Sequence, residues 1–248
     1  MIFATGDTHG NFRRFAVRHF PEQKTMNRND HIIICGDFGG VWDGSRQENE
    51  QLDWLDAKPF TTLWVDGNHE NYDMLMDYPL EDWNGGKIQR IRPNILRLMR
   101  GQLYDIEGYS FFAMGGASSH DISGGILDPN DPMFKARRYQ LDRQGASYRV
   151  NHRSWWKEEL PSDEEYAKAL ETLERAGWKV DYVITHCPPS GIVNIIGEGA
   201  YKHDKLTDFL DMVSKRLEFH YWLFGHHHDN RAIGQNYILL YEQIVQVV

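Results

Sequence analysis

An α/β fold built on parallel strands is what this sequence predicts, and three features predict it. Short apolar runs alternate with segments of helical spacing through the first 76 residues, giving a βαβαβ order. Asp7, Asp37 and Asn68 each follow such a run and lie 30 and 31 residues apart, about the length of one strand–helix–strand unit. Two further runs, Tyr182-Val183-Ile184 and Tyr221-Trp222-Leu223-Phe224, also end in polar, histidine-bearing segments. If these strands are parallel neighbours, all five ends share one edge of the sheet, where open α/β sheets place their ligands.

Taken in order, Ile2 to Ala4 reads as the first strand, and Gly6 ends it. Gly6-Asp7-Thr8-His9-Gly10-Asn11 then sets an acid and an imidazole two residues apart. Phe12, Phe15, Ala16 and His19 have helical spacing, which predicts a helix from Phe12 to Phe20 stopped by Pro21. His31 to Cys35 is the second strand, Glu48 to Ala57 a helix carrying Leu52 and Leu55, and Thr61 to Val65 the third strand. Glu70 to Met76 forms a short helix. From Ile88 the texture turns β-rich: Ile88–Ile91, Ile95–Leu98, Gln102–Ile106 and Tyr109–Met114 predict an antiparallel region, with Glu107-Gly108 as a hairpin turn.

Residues 117–160 lack periodicity and read as a cap-like insertion. Arg137, Arg138, Arg143, Arg149 and Arg153 lie in it, followed by Trp155 and Trp156. They are either a solvated basic surface with two core tryptophans or a cover that offers guanidinium groups to a phosphate. Ser162 and Glu165 make a capping box for a helix reaching about Gly177, its apolar face formed by Tyr166, Ala169, Leu170 and Leu173. Asp181 to Thr185 is a strand, 187–203 a Pro/Gly-rich loop, and Asp204 to Leu217 a helix with Leu206, Phe209, Leu210 and Val213 inward. His220 to Phe224 delivers a histidine cluster, and Tyr237–Leu240 and Gln243–Val247 close the chain as strands. No repeat or linker divides residues 1–248, which we read as one domain.

Composition excludes several classes. With 27 Lys and Arg against 36 Asp and Glu, a net charge of −9 argues against sequence-independent binding of extended duplex nucleic acid. A hydrophobic share of 41% with 13% aromatics fits a packed globule, not a disordered chain. No apolar stretch reaches the roughly 18–20 residues that span a bilayer, and no signal-peptide pattern precedes the first strand, so no membrane partner is expected. Cys35 and Cys187 form no disulfide framework and read as small buried apolar residues, soft metal ligation being the lesser reading. A cytoplasmic, bacterial-type enzyme is the simplest setting; oligomeric state is not legible.

Asp-x-His at Asp7 and His9, Gly-Asp at Asp37, Gly-Asn-His-Glu at residues 67–70, His186, and Gly-His-x-His at His226 and His228 occur in this order. Together they resemble the calcineurin-like metallophosphoesterase superfamily, and they span residues 6–228. The resemblance implies a four-layer αββα sandwich of two mixed β-sheets flanked by helices. It implies two divalent ions, with Mn, Fe, Zn and Ni suiting carboxylate and imidazole donors. Asp7, His9 and His228 would hold the first ion, Asn68, His186 and His226 the second, with Asp37 bridging. His69 would protonate or stabilise the leaving oxygen, while a bridging hydroxide attacks in line. His227 alternates between two ligands and should point away from the metals, and Glu70 would orient its loop.

One branch of that family, the Ser/Thr protein phosphatases, continues its second motif as Gly-Asp-x-Val-Asp-Arg-Gly. Here the stretch reads Gly36-Asp37-Phe38-Gly39-Gly40-Val41-Trp42-Asp43, so the partner Asp and the phosphate-binding Arg are both missing. That speaks against protein phosphatase activity and turns attention to the arginines of 137–153. The expected activity is hydrolysis of a phosphomonoester or phosphodiester of a small molecule or nucleotide. A nuclease of the same superfamily is the alternative, mildly disfavoured by the net charge. A non-catalytic scaffold is the rival from another class, and the intact motifs oppose it.

Overall fold

The computed structural model describes residues 1–248 and gathers the apolar runs into two large sheets. In the first, β1 (Ile2–Thr5), β2 (His31–Ile34) and β3 (Thr61–Trp64) are parallel neighbours, buried along their whole length. Beyond β3 come β6 (Ile95–Leu98), parallel to it, and then β5 (Gly86–Arg92) and β4 (Leu80–Trp83), each antiparallel to its neighbour. On the other flank β15 (Val245–Gln246) runs antiparallel to β1. The second sheet opens with the hairpin of β7 (Gln102–Ile106) and β8 (Tyr109–Met114). β11 (Tyr182–Thr185), β12 (Tyr221–Phe224) and β14 (Tyr237–Leu239) continue it in parallel, and β13 (Arg231–Ile233) is its antiparallel edge.

The continuous hydrophobicity of the central strands has a direct cause. Successive side chains leave a strand on opposite faces, and here each face meets a core. Ala4, Ile33, Cys35, Leu63 and Val65 turn between the sheets, together with Phe111, Ile184 and Leu223. Phe3, Ile32, Ile34 and Trp64 turn outward against Phe12, Phe15 and the helix α1 (Arg46–Asp56) through Leu52 and Leu55. Phe112, Val183 and Trp222 turn outward on the far side. There they meet Ala169 and Leu173 of α4 (Asp163–Arg175) and Leu206 and Leu210 of α6 (Lys205–Ser214). Three cores between four layers make the αββα sandwich.

Ser162 caps α4 with the expected capping box to Glu165. Its inward face differs in one residue: Leu170 is 37% exposed, and Thr172 takes the buried place beside Leu173. The remaining helices are α2 (Tyr72–Leu75), α3 (Phe134–Gln144) and α5 (Ser190–Gly197).

Several expectations are corrected. The stretch from Phe12 to Phe20 is no α-helix; only Phe12–Phe15 coils, as a 3₁₀ turn capped by the Asn11 side chain. Its two phenylalanines are three apart, and three residues per turn put both on the buried side. The β-rich run after Ile88 is not one antiparallel block. Its first two strands complete the first sheet and its last two begin the second, with Gly101 turning the chain at φ +69. The loop at 187–203 contains α5, whose Ile192 and Val193 are buried; Pro188 and Pro189 precede the helix, where proline is tolerated. The insertion holds α3, which buries no residue and so carries no apolar period to read. It also holds a small parallel ribbon of β9 (Ile126–Leu127) and β10 (Arg149–Val150). The edge strands β4 and β13 were not foreseen, because neither has an apolar run.

Candidate metal centre

The five strands do not share one sheet edge: β1, β2 and β3 belong to the first sheet and β11 and β12 to the second, and the loops after all five bring the polar groups to one site between them. Asp7 and His9 follow β1, Asp37 follows β2, Asn68 and His69 follow β3, His186 follows β11, and His226 and His228 follow β12. Oδ2 of Asp7 lies 3.1 Å from Nε2 of His228 and 3.9 Å from Nε2 of His9, and the two imidazole nitrogens are 3.2 Å apart. Oδ1 of Asp37 lies 3.2 Å from Nε2 of His186, and its Oδ2 lies 3.8 Å from Nε2 of His9. Asp37 therefore stands between the two imidazoles. The His226 ring sits 4.9 Å from the His186 ring. Two compact donor groups result, Asp7 with His9 and His228, and Asp7 with Asp37 and His186.

The loops reach this arrangement by interlocking. His69 N donates to Asp37 Oδ1 and His226 N donates to Asp7 Oδ1, so each carboxylate fastens the next loop with one oxygen. Thr8 N and His9 N both donate to the Asp37 carbonyl. Close approach demands glycine at two points: a Cβ on Gly36 would strike the His186 ring, and one on Gly225 would strike the Asp7 carboxylate. His9, Asp37, His226 and His228 all adopt positive φ, from 45° to 71°. Such conformations cost about 1–3 kcal/mol each and persist where the surroundings over-determine them.

Glu70 is fully buried and accepts from Phe38 N and Gly39 N, so it holds the loop after Asp37 and not, as expected, its own. Burial and the nearby Asp37 push its carboxyl up to about 8, against those two donors.

Do these residues fit metal ions? Asp7 Oδ2, Asn68 Oδ1 and His186 Nε2 are all buried without a hydrogen-bond partner. Asp7 Oδ2 and His186 Nε2 have near neighbours at 3.1 and 3.2 Å, but the alignment is wrong for hydrogen bonding. Buried polar groups are nearly always paired, so the unpaired atoms of Asp7 and His186, gathered with Asp37 in one donor group, imply something else between them. Nδ1 of His186 lies 2.9 Å from the Cys35 carbonyl, which orients the ring with Nε2 toward the carboxylates, the usual support of a metal-binding imidazole. Burial alone would lower the His186 pKa, but Asp37 and Asp7 outweigh it and push it up to about 10. A field that holds a proton there so firmly would also hold a cation. The donors fit divalent metals.

His69 lies on the rim, its ring 5.1 Å from that of His9. Burial lowers its pKa; Asp37 opposes this and Arg149 adds to it, so the ring is neutral near pH 7. Of the five arginines in the insertion, only Arg149 reaches the site. Its Nη2 lies 3.4 Å from His69 Nε2, and its Nε donates to Asp121 at 3.0 Å. Arg137 pairs with Asp131, Arg138 bonds Tyr148, Arg143 lies over Tyr139, and Arg153 is exposed. Trp156 is a core residue, against Trp42, whereas Trp155 is only half-buried.

His227 departs from expectation in its reason. The segment is not extended, because both neighbours have positive φ; the ring stacks on Tyr201 at 5.2 Å and is half-buried. Sequence reading also missed Ser119, His120 and Asp121. They follow β8 and Gly115-Gly116, the same apolar-run-then-glycine signal that marks the other loops, and the His120 ring lies 4.9 Å from that of His226. Beside His9 and His69 an open cleft of about 700 Å³ runs past Asn11, Arg13, Trp42 and Gln51.

A family model described as calcineurin-like phosphoesterase matches residues 1–230. No curated protein matches the chain.

Proposed function

The chain belongs to the calcineurin-like phosphoesterase family, and from this premise we propose that it hydrolyses phosphomonoesters or phosphodiesters of a small molecule or nucleotide with two divalent ions. Membership implies metal-dependent phosphoester hydrolysis. The gathering of Asp7, Asp37 and His186 into one buried donor group, with Asp7 Oδ2 and His186 Nε2 unpaired, carries the reading. Asp7, His9 and His228 would hold one ion; Asn68, His186 and His226 would hold the other, with Asp37 shared. Manganese, iron, zinc or nickel would suit these donors. When bound, such a pair supplies an activated water and neutralises phosphoryl charge.

The chain's own residues do the rest. His69, neutral and on the rim, would donate a hydrogen bond to the leaving oxygen as charge develops there. Arg149 would take a phosphoryl oxygen, replacing the arginine that the second motif lacks. The cleft past Trp42 would hold the alcohol portion, and its mainly polar lining suits a hydrogen-bonding group over a lipid tail. No helix is long and apolar enough to cross a membrane, and both cysteines are free buried thiols, which supports a reducing, cytoplasmic setting. The test is to strip the protein of metal, reload it with Mn, Fe, Zn, Ni or Mg, and assay paired chromogenic monoesters and diesters. Hydrolysis restored by metal supports the reading; no turnover of either ester with any metal overturns it.

A further inference from the structure

Asn68 is the one proposed ligand whose two side-chain ends differ in kind. Its oxygen can bind a cation; its amide nitrogen repels one. Nothing in its own loop decides which end faces the metals. The decision lies in two residues of the insertion, Ser119 and Glu159, 5% and 4% exposed.

Ser119 gives both of its hydrogens to Glu159: N donates to Oε1 at 3.0 Å and Oγ to Oε2 at 2.7 Å. A carboxylate only accepts, so the hydroxyl hydrogen is committed to it. The hydroxyl oxygen is left as an acceptor, and Asn68 Nδ2 lies 3.5 Å from it. Asn68 Oδ1 is then the free end, buried and without a partner. We infer that Glu159, acting through the Ser119 hydroxyl, is a positioning residue that turns the Asn68 oxygen toward the metal centre. Glu159 is well anchored for this work. Its carbonyl accepts from Ala117 N, and Arg100, ion-paired to Asp66, donates to the Glu158 carbonyl. Gly116 N donates to the Asp66 carbonyl, so the loop bearing Ser119 is tied to the chain just before Asn68.

The relay makes an unusual demand of Glu159: size is not enough. In Glu159→Gln the new amide can donate to Ser119 Oγ. The hydroxyl hydrogen is then released toward Asn68, where it favours the oxygen and presents the amide nitrogen to the metals. Outer-shell changes of this kind typically alter metal affinity about 10–100-fold. In Asn68→Asp the side chain has two equivalent oxygens, and orientation ceases to matter.

The inference rests on Asn68 being a ligand, as proposed above, and the experiment separates the two. Mn(II) binding is measured by calorimetry on the metal-free wild type and on N68A, E159Q, S119A, N68D and N68D/E159Q, with thermal unfolding of each metal-free protein as a control for folding. N68A should weaken one of two Mn(II) sites; if it weakens neither, the ligand assignment fails. Given that loss, E159Q should weaken the same site about 10-fold or more and leave the other within twofold, and S119A should weaken that site alone. E159Q should have no further effect, within twofold, in the N68D background. The relay is overturned if E159Q and S119A bind Mn(II) as wild type does, or if E159Q acts as strongly on N68D. Should E159Q not fold, S119A decides: selective loss at the Asn68 site supports the relay, and wild-type binding overturns it.

Discussion

Arg149 Nη2 lies 3.4 Å from His69 Nε2, although 80 residues separate them and the arginine comes from the insertion. The guanidinium is ion-paired with Asp121, and its proposed role is to take a phosphoryl oxygen. Arg149→Ala should lower kcat/KM by about 10–150-fold, the loss of roughly 1.5–3 kcal/mol from one charge-assisted contact. If the contact is made in the transition state, kcat falls with it; a ground-state grip would chiefly raise KM. Arg137→Ala, Arg138→Ala, Arg143→Ala and Arg153→Ala should stay within about twofold. Metal content should not change in any of them. An Arg149→Ala enzyme within twofold of wild type would remove the arginine from the chemistry.

The histidine cluster gives a second test. His226→Ala and His228→Ala should each lose metal and activity. His227→Ala should keep most of both, because its ring turns aside to stack on Tyr201, whereas that of His226 packs against the His186 ring. Metal analysis and turnover of the three variants settle it. A His227→Ala protein that folds yet loses metal as its neighbours do would show the assignment to be wrong.

The site was more legible than its supports. Asp7, Asp37, Asn68 and His226 announce themselves because each follows an apolar strand and a glycine, a local signal, and His186 follows its strand directly. Ser119 carries the same strand-and-glycine signal after β8, whereas Arg149 and Glu159 give none and are meaningful only once the insertion folds over the site. The αββα architecture followed from the resemblance, whereas the placing of β7 and β8 in the second sheet depended on where one turn sends the chain. α3 was invisible for a different reason. A helix that buries nothing needs no apolar stripe, so its sequence resembles a loop.

Asp66 was passed over in the sequence, yet it is wholly buried between Arg97 and Arg100. Burial would raise its pKa, but the two guanidinium groups outweigh it and bring it down to about 2. Asp66→Ala leaves buried Arg97 without its ion partner and Arg100 with Glu165 alone, and should cost about 3–5 kcal/mol by denaturant unfolding. The pH dependence has a definite sign. The folded pKa lies below the ordinary value of 3.8, so the contribution is present above about pH 4 and fades as pH falls toward 2. Loss of less than about 1 kcal/mol in Asp66→Ala would mean that the arginines find other partners.

Metal binding should expel a proton from His186. Without a cation, Asp37 and Asp7 overcome the cost of burial and hold that imidazole protonated up to about pH 10. Its Nε2, 3.2 Å from Asp37, is the nitrogen proposed to bind metal, so proton and cation compete for one lone pair. At pH 7.5 the loading of the His186 site should release about one proton, seen as a calorimetric enthalpy that varies with the ionisation heat of the buffer. Apparent affinity should rise about tenfold per pH unit and level off near pH 10. The sign for stability follows from the same raised pKa. In the metal-free protein the contribution is complete below the ordinary histidine value of 6.5 and is lost as pH rises through about 10. Metal-loaded protein should lack that decline, because the cation replaces the proton at every pH in the range. Buffer-independent enthalpies at pH 7.5, with Mn(II) bound at full stoichiometry, would show that His186 enters the reaction neutral and that the carboxylates do not control it.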